Sequence, residues 1–74
     1  MKQKFQIGED IIVSMYIYEE NRYRDFFATV IDYNEKGYPN KKGYFKRYRV
    51  QLSSGDFYDR NILEVAEYKI RKRQ

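Results

Sequence analysis

Residues Tyr44–Val65 read YFKRYRVQLSSGDFYDRNILEV, and this stretch decides the fold. Tyr48, Val50 and Leu52 alternate with Arg47, Arg49, Gln51 and Ser53. A period of two places the first set on one face of a strand and the polar set on the other. Ser53-Ser54-Gly55-Asp56 then turns the chain, with Gly55 expected at positive φ, where a Cβ is penalised. Phe57-Tyr58 is expected to begin another strand and Asp59-Arg60-Asn61 to make a short polar step, such as one 3₁₀ turn. Ile62-Leu63-Glu64-Val65 closes the set. Short strands following one another this closely belong to an all-β fold.

Working outward, Ile11, Val13, Met15 and Ile17 alternate with Ile12, Ser14, Tyr16 and Tyr18, which predicts a strand rich in β-branched and aromatic residues. Its second face is itself apolar, and so is expected to be partly covered or used for contact. Glu19-Glu20-Asn21-Arg22 reads as a charged turn, and Asp25–Tyr33 as a second strand, apolar on both faces. Asn34–Tyr44 holds two of the four glycines and the only proline and reads as a loop longer than a hairpin needs. The end, AEYKIRKRQ, stays open between a short helix, a strand extension and a frayed terminus. Glu67 and Arg71 suit an i,i+4 helical pair, whereas Tyr68 and Ile70 alternate as in a strand. Four or five short strands with no helix before residue 66 suggest a small barrel or two packed sheets. Closure into a barrel also removes edges that a Tyr-, Ile- and Val-rich chain risks pairing with itself.

The totals set further bounds. Seventy-four residues make one small domain, which buries only about 60% of its unfolded surface. Without Cys or His, neither a disulfide nor a structural zinc site is available to staple it. Nine Tyr and five Phe instead supply the core in large pieces and argue against a disordered chain. The opening MKQKFQIGED is too polar for a signal peptide, and no apolar run approaches the roughly 18 residues that span a bilayer. The expectation is a cytoplasmic protein, or a nuclear one in a eukaryote, with no membrane partner.

The net charge of +4 is unevenly spread: residues 1–40 carry five cations and seven acids, and residues 41–74 ten cations and four acids. A basic half concentrates an anionic partner and speeds its association. Catalysis finds little support. A general base or nucleophile must come from carboxylate, Lys, Tyr, Ser or Thr, and the adjacent pairs Glu9-Asp10 and Glu19-Glu20 point to opposite sides of an extended chain. No phosphate-loop pattern is present, so the chain reads as non-enzymatic, with no cofactor and no metal.

The order of these pieces resembles the SH3-like small barrels, the group that includes Tudor, chromo-barrel and KOW domains. Phe5-Gln6-Ile7-Gly8-Glu9-Asp10-Ile11-Ile12-Val13 is similar to their opening strand, and Phe26-Phe27-Ala28-Thr29-Val30-Ile31 to their second. Tyr48-Arg49-Val50-Gln51-Leu52-Ser53-Ser54-Gly55 resembles the Tudor third strand and turn. Phe57-Tyr58-Asp59-Arg60-Asn61-Ile62-Leu63-Glu64-Val65 is similar to the 3₁₀ turn and last strand. The resemblance covers residues 5–65 and implies a five-stranded SH3-like (Tudor-like) barrel over residues 1–66, with residues 67–74 as a short basic C-terminal extension. It does not extend to proline-peptide recognition, because the chain has no Trp and no Ala–Leu–Tyr–Asp–Tyr run.

Two candidate surfaces follow. Lys41, Lys42, Lys46, Arg47 and Arg49 contain no acid among them and interleave with Tyr44, Phe45 and Tyr48; Lys69, Arg71, Lys72 and Arg73 extend the basic set. Nucleic-acid binding, to DNA or RNA, uses this mixture of phosphate-neutralising cations and stacking rings, and Tyr44 is the better stacking candidate because Tyr48 falls on the core face. The bland alternative is a solvated strand face with a lysine-rich loop that discourages edge pairing. The second surface is Ile12, Tyr16, Tyr18, Phe27 and Ile31, an apolar-aromatic patch for a protein partner or homodimer, as in a small inhibitory module of a phage or mobile element. An aromatic cage for a methylated Lys or Arg, drawn from Tyr16, Tyr18, Tyr23, Phe27, Tyr33, Tyr38 and Tyr58, is a third reading.

Overall fold

A computed structural model of the chain describes residues 3–39 and 46–73. Five strands run in the order β1 (Asp10–Ile17), β2 (Arg22–Tyr38), β3 (Lys46–Leu52), β4 (Ile62–Val65) and β5 (Ile70–Lys72), with a 3₁₀ turn at Glu67–Lys69 just before β5. They form one antiparallel sheet in the spatial order β4-β3-β2-β1-β5. The protein is therefore all-β, and its outer strands β4 and β5 each pair on one side only.

The sheet forms because alternation on one strand meets alternation on the next. Ile11 stands opposite Ala28, Ala28 opposite Leu52, Val30 opposite Val50, and Val50 opposite Leu63. Tyr48 faces Val65, and Val13 faces Ile70 on the far side of β1. All of these side chains are buried, and Phe5 joins them from the N-terminal segment. Phe5 meets Tyr48 edge-to-face at 5.7 Å between ring centroids, a favoured aromatic geometry. The Tyr48 hydroxyl has partners on both sides, accepting from the backbone N–H of Lys4 (2.9 Å) and Phe5 (3.2 Å) and donating to Glu67 Oε1 (3.3 Å). The polar tip of the largest buried side chain thus ties the N-terminal segment and the 3₁₀ turn to the core.

β2 departs most from its expected length. It was legible as Asp25–Tyr33 but runs for 17 residues, Arg22–Tyr38. Its first part pairs with β1 and its second with β3, and register shifts fall between Val30 and Asp32 and between Tyr33 and Tyr38. Such bulges bend and twist a strand, so that one long strand serves two halves of a coiled sheet. Gly37, at φ +85°, absorbs the later irregularity. The loop read from Asn34 accordingly starts after Tyr38, and residues 40–45 lie outside the described residues.

Three other expectations change. Phe57-Tyr58 starts no strand: an isolated bridge joins Phe57 to Arg60 across Tyr58 and Asp59, both left-handed at φ +51° and +63°. The 3₁₀ turn lies at Glu67–Lys69 rather than Asp59–Asn61. Residues 67–73, read as an extension beyond a domain ending at residue 66, comprise that turn and β5, with Ile70 buried against Val13. One apolar residue decides this placement through a partner far away in sequence, which no local period reveals. Gly55 behaves as expected, with φ +73°.

Candidate functional site

A groove of about 560 Å³ opens where the end of β1, the start of β3 and the segment from β4 into the 3₁₀ turn approach one another. Met15 and Tyr18 line one side, Lys46 and Arg47 another, and Glu64 to Lys69 the third. A second hollow of about 280 Å³ continues it, sharing Met15, Lys46 and Glu64 and adding Phe57, Tyr58, Arg60 and Leu63. Unlike the core tyrosine, the groove tyrosines are open to solvent: Tyr18 is 72% exposed, Tyr68 83% and Tyr58 48%.

The turn at 57–60 explains how Tyr58 reaches this rim. Phe57 N–H donates to Arg60 O (2.8 Å) and Arg60 N–H to Phe57 O (3.1 Å), with both central residues left-handed. Turns of this form favour Asn-Gly, and a bulky residue in the left-handed region costs on the order of 1–3 kcal/mol. The Tyr58 hydroxyl offsets that cost by accepting from Tyr18 N–H (3.2 Å) and donating to Glu19 Oε2 (2.5 Å). That bond lowers the Glu19 pKa and raises that of Tyr58, because it favours the carboxylate and the neutral phenol together. Tyr58 is thereby pinned against the β1–β2 turn that carries Tyr18.

Carboxylates near the groove already have partners. Glu64 accepts from Arg49 Nε (3.0 Å) and pairs with Arg60 (3.6 Å), while Glu67 accepts from the Tyr48 hydroxyl. By contrast, no ion pair ties Lys46 among the described residues. Lys69 carries its ammonium 5.7 Å from the Tyr23 ring centroid and 6.0 Å from that of Tyr68, within cation–π range.

The residues singled out from sequence do not share one surface. Lys41, Lys42 and Tyr44 lie outside the described residues. Lys46 and Arg47 line the groove. Arg49 is committed internally: besides Glu64 it approaches Asp32 (4.0 Å) and stacks 4.4 Å from the Tyr38 ring centroid. Arg71 bonds the Asp25 carboxylate and Ser14 Oγ, which holds the Asp25 pKa below the usual carboxylate range. Arg73 donates to the carbonyls of Ile11 (3.3 Å) and Ala28 (3.1 Å) and lies over Phe27. Lys72 is exposed on β5. The basic row read along the sequence is thus partly spent on the protein's own carboxylates and carbonyls.

The apolar set also divides. Ile12 and Phe27 are register neighbours, Phe27 being 56% exposed. Tyr16 instead packs edge-on against Tyr18 (5.1 Å) and Tyr23 (5.2 Å) near the β1–β2 turn, and Ile31 is half-buried at the register shift in β2. Sequence reasoning placed Lys69 in the basic set of the C-terminal segment but missed Tyr68 beside it, and the 3₁₀ turn brings both to the groove. Their adjacency was the available signal, obscured by the uncertain conformation of that segment.

Compared with protein-family models, curated proteins and solved structures, the chain matches none. What the fold and site define is a class: a small antiparallel all-β protein with an aromatic and cationic groove at one end of its sheet. Among the described residues no helix is long and apolar enough to cross a membrane.

Proposed function

We propose that this chain is a non-enzymatic binding module on an SH3-like, Tudor-like small barrel, and that its ligand is nucleic acid. Three features support the barrel: the order β4-β3-β2-β1-β5, the long bent β2 shared by both halves, and the 3₁₀ turn leading into the last strand. The observation that carries the ligand reading is the groove itself. Lys46, Arg47 and Lys69 stand beside the exposed rings of Tyr18, Tyr58 and Tyr68, while Glu64, Glu67 and Glu19 are engaged within the protein. Cations that neutralise phosphates and rings that take base faces are the two components that sequence-tolerant nucleic-acid binding requires.

The test is fluorescence anisotropy of labelled nucleic acid titrated with the protein at low and moderate salt. Two phosphate contacts, from Lys46 and Lys69, give a log K against log salt slope of about −1.4 for a single strand and about −1.8 for a duplex. Lys46→Glu with Lys69→Glu abolishes binding and leaves the fold intact; binding equal to that of the parent shows that the groove is not the site. Arg49→Glu is a poor probe, because it sets a third acid beside Glu64 and Asp32.

The exposed Phe27 with its neighbour Ile12 supports a second reading, a protein-docking or homodimer face on the side of the sheet opposite the core. There Phe27→Ala weakens self-association or partner binding, and the lysine variants do not.

A further inference from the structure

The groove points to a narrower ligand class, resting on the nucleic-acid reading above: we infer that it selects single strands over duplexes, with Tyr68, Tyr58 and Tyr18 as the stacking groups. In a duplex the base faces are covered by their neighbours, so an exposed tyrosine ring finds only edges and phosphates. In a single strand each base offers a face, worth roughly 1–3 kcal/mol per stacked base and largely independent of sequence.

Two observations favour the unpaired form. The groove, at about 560 Å³, has the dimensions of a small-ligand cleft and not of a seat for a double helix. One of the rings is also placed before any ligand arrives: Tyr58 is pinned through its hydroxyl to Tyr18 N–H and Glu19. A ring held in place loses little freedom on binding, which favours affinity. Lys69, one residue beyond Tyr68, lies within reach of the phosphate next to a base stacked on that ring. Tyr58 is a positioning residue as well as a surface, because its hydroxyl fixes the rim and its face remains half open.

The experiment compares labelled oligothymidylate, oligouridylate and a duplex of equal length in anisotropy titrations, with the protein's own tyrosine emission as a second readout. The chain has no Trp, so this emission reports the tyrosines alone. The single strands bind at least tenfold tighter than the duplex and quench the emission. Tyr68→Leu lowers single-strand affinity about tenfold, or about 1.4 kcal/mol, reduces the quench and leaves duplex affinity unchanged. Because Tyr68 is 83% exposed, its replacement does not disturb the core. Tyr58→Phe keeps the ring but loses both hydroxyl contacts, and weakens single-strand binding severalfold with little change in the salt slope. Duplex binding equal to or tighter than single-strand binding overturns the inference while leaving the nucleic-acid reading standing. So does a Tyr68→Leu protein that binds single strands as the parent does. Absence of binding to all three probes at low salt overturns both.

Discussion

Replacing Tyr48 by Phe removes one oxygen atom from the centre of the protein. The side chain is fully buried, and its hydroxyl accepts from two backbone N–H groups and donates to one carboxylate. Phe fills nearly the same volume, so no cavity opens and the effect is one of hydrogen bonding alone. The Phe5 N–H sits in a buried setting and loses its partner, at about 1–3 kcal/mol. Lys4 is exposed and Glu67 half-buried, so water takes over their bonds at smaller cost. The expected destabilisation is about 2 kcal/mol, a large share of the roughly 4–11 kcal/mol available to a domain of this size. At about 4–8 °C per kcal/mol, Tm falls by about 8–16 °C. Urea unfolding followed by circular dichroism, with thermal melts alongside, measures it. The midpoint should drop with an unchanged m-value, because the surface exposed on unfolding stays the same. A Tyr48→Phe protein within about 0.5 kcal/mol of the parent refutes the claim that this hydroxyl ties the N-terminal segment to the core.

The other predictions concern backbone and charge. Gly8 sits at φ +92° with open space where a Cβ would stand; Gly8→Ala is therefore expected to cost about 1–2 kcal/mol from left-handed backbone strain alone, read as a lower urea midpoint. Asp25 and Glu19 titrate below their ordinary values in the folded protein, held down first by the bonds from Arg71 and Tyr58 respectively. Their stabilisation is complete above the unfolded pKa values of about 4 and is lost as pH falls through the lower folded values. Asp25→Asn should thus flatten the fall in stability at acid pH. At the other extreme, burial raises the Tyr48 pKa above 10.0. Its contribution is present below pH 10 and lost as pH climbs through the raised folded value. The Tyr38 and Tyr58 pKa values are raised as well, so the late tyrosinate absorbance should coincide with alkaline unfolding and be diminished, not abolished, in Tyr48→Phe.

Much of the sheet is legible in the sequence because side chains at period two are buried on one face only. Ile11 and Val13 on β1, and Tyr48, Val50 and Leu52 on β3, all point into the core as their alternation requires. Features decided by long-range partners are not legible in this way. Nothing local shows that Arg22 and Arg24 continue β2, since what holds them is pairing with Ile17 and Met15 across the hairpin. Ile70 reads equally as helix, strand or fray until β1 supplies Val13 as its neighbour. Tyr58 and Asp59 carry no glycine to announce a left-handed turn; the turn is held by a hydroxyl bond to Glu19, 39 residues away in sequence. The same limit governs the candidate site. Composition locates a basic half, but only the fold shows Arg49 and Arg71 spent on Glu64 and Asp25, and Lys69 delivered beside Lys46 at the groove.

The central claim, that the groove between β1, β3 and the 3₁₀ turn binds nucleic acid, is tested most directly by NMR shift mapping with a short single-stranded oligonucleotide. The account predicts that shifts concentrate on Tyr18, Lys46, Arg47, Tyr58, Tyr68 and Lys69 and diminish as salt is raised. Shifts centred on Ile12 and Phe27, or a spectrum unchanged at saturating oligonucleotide and low salt, would contradict it.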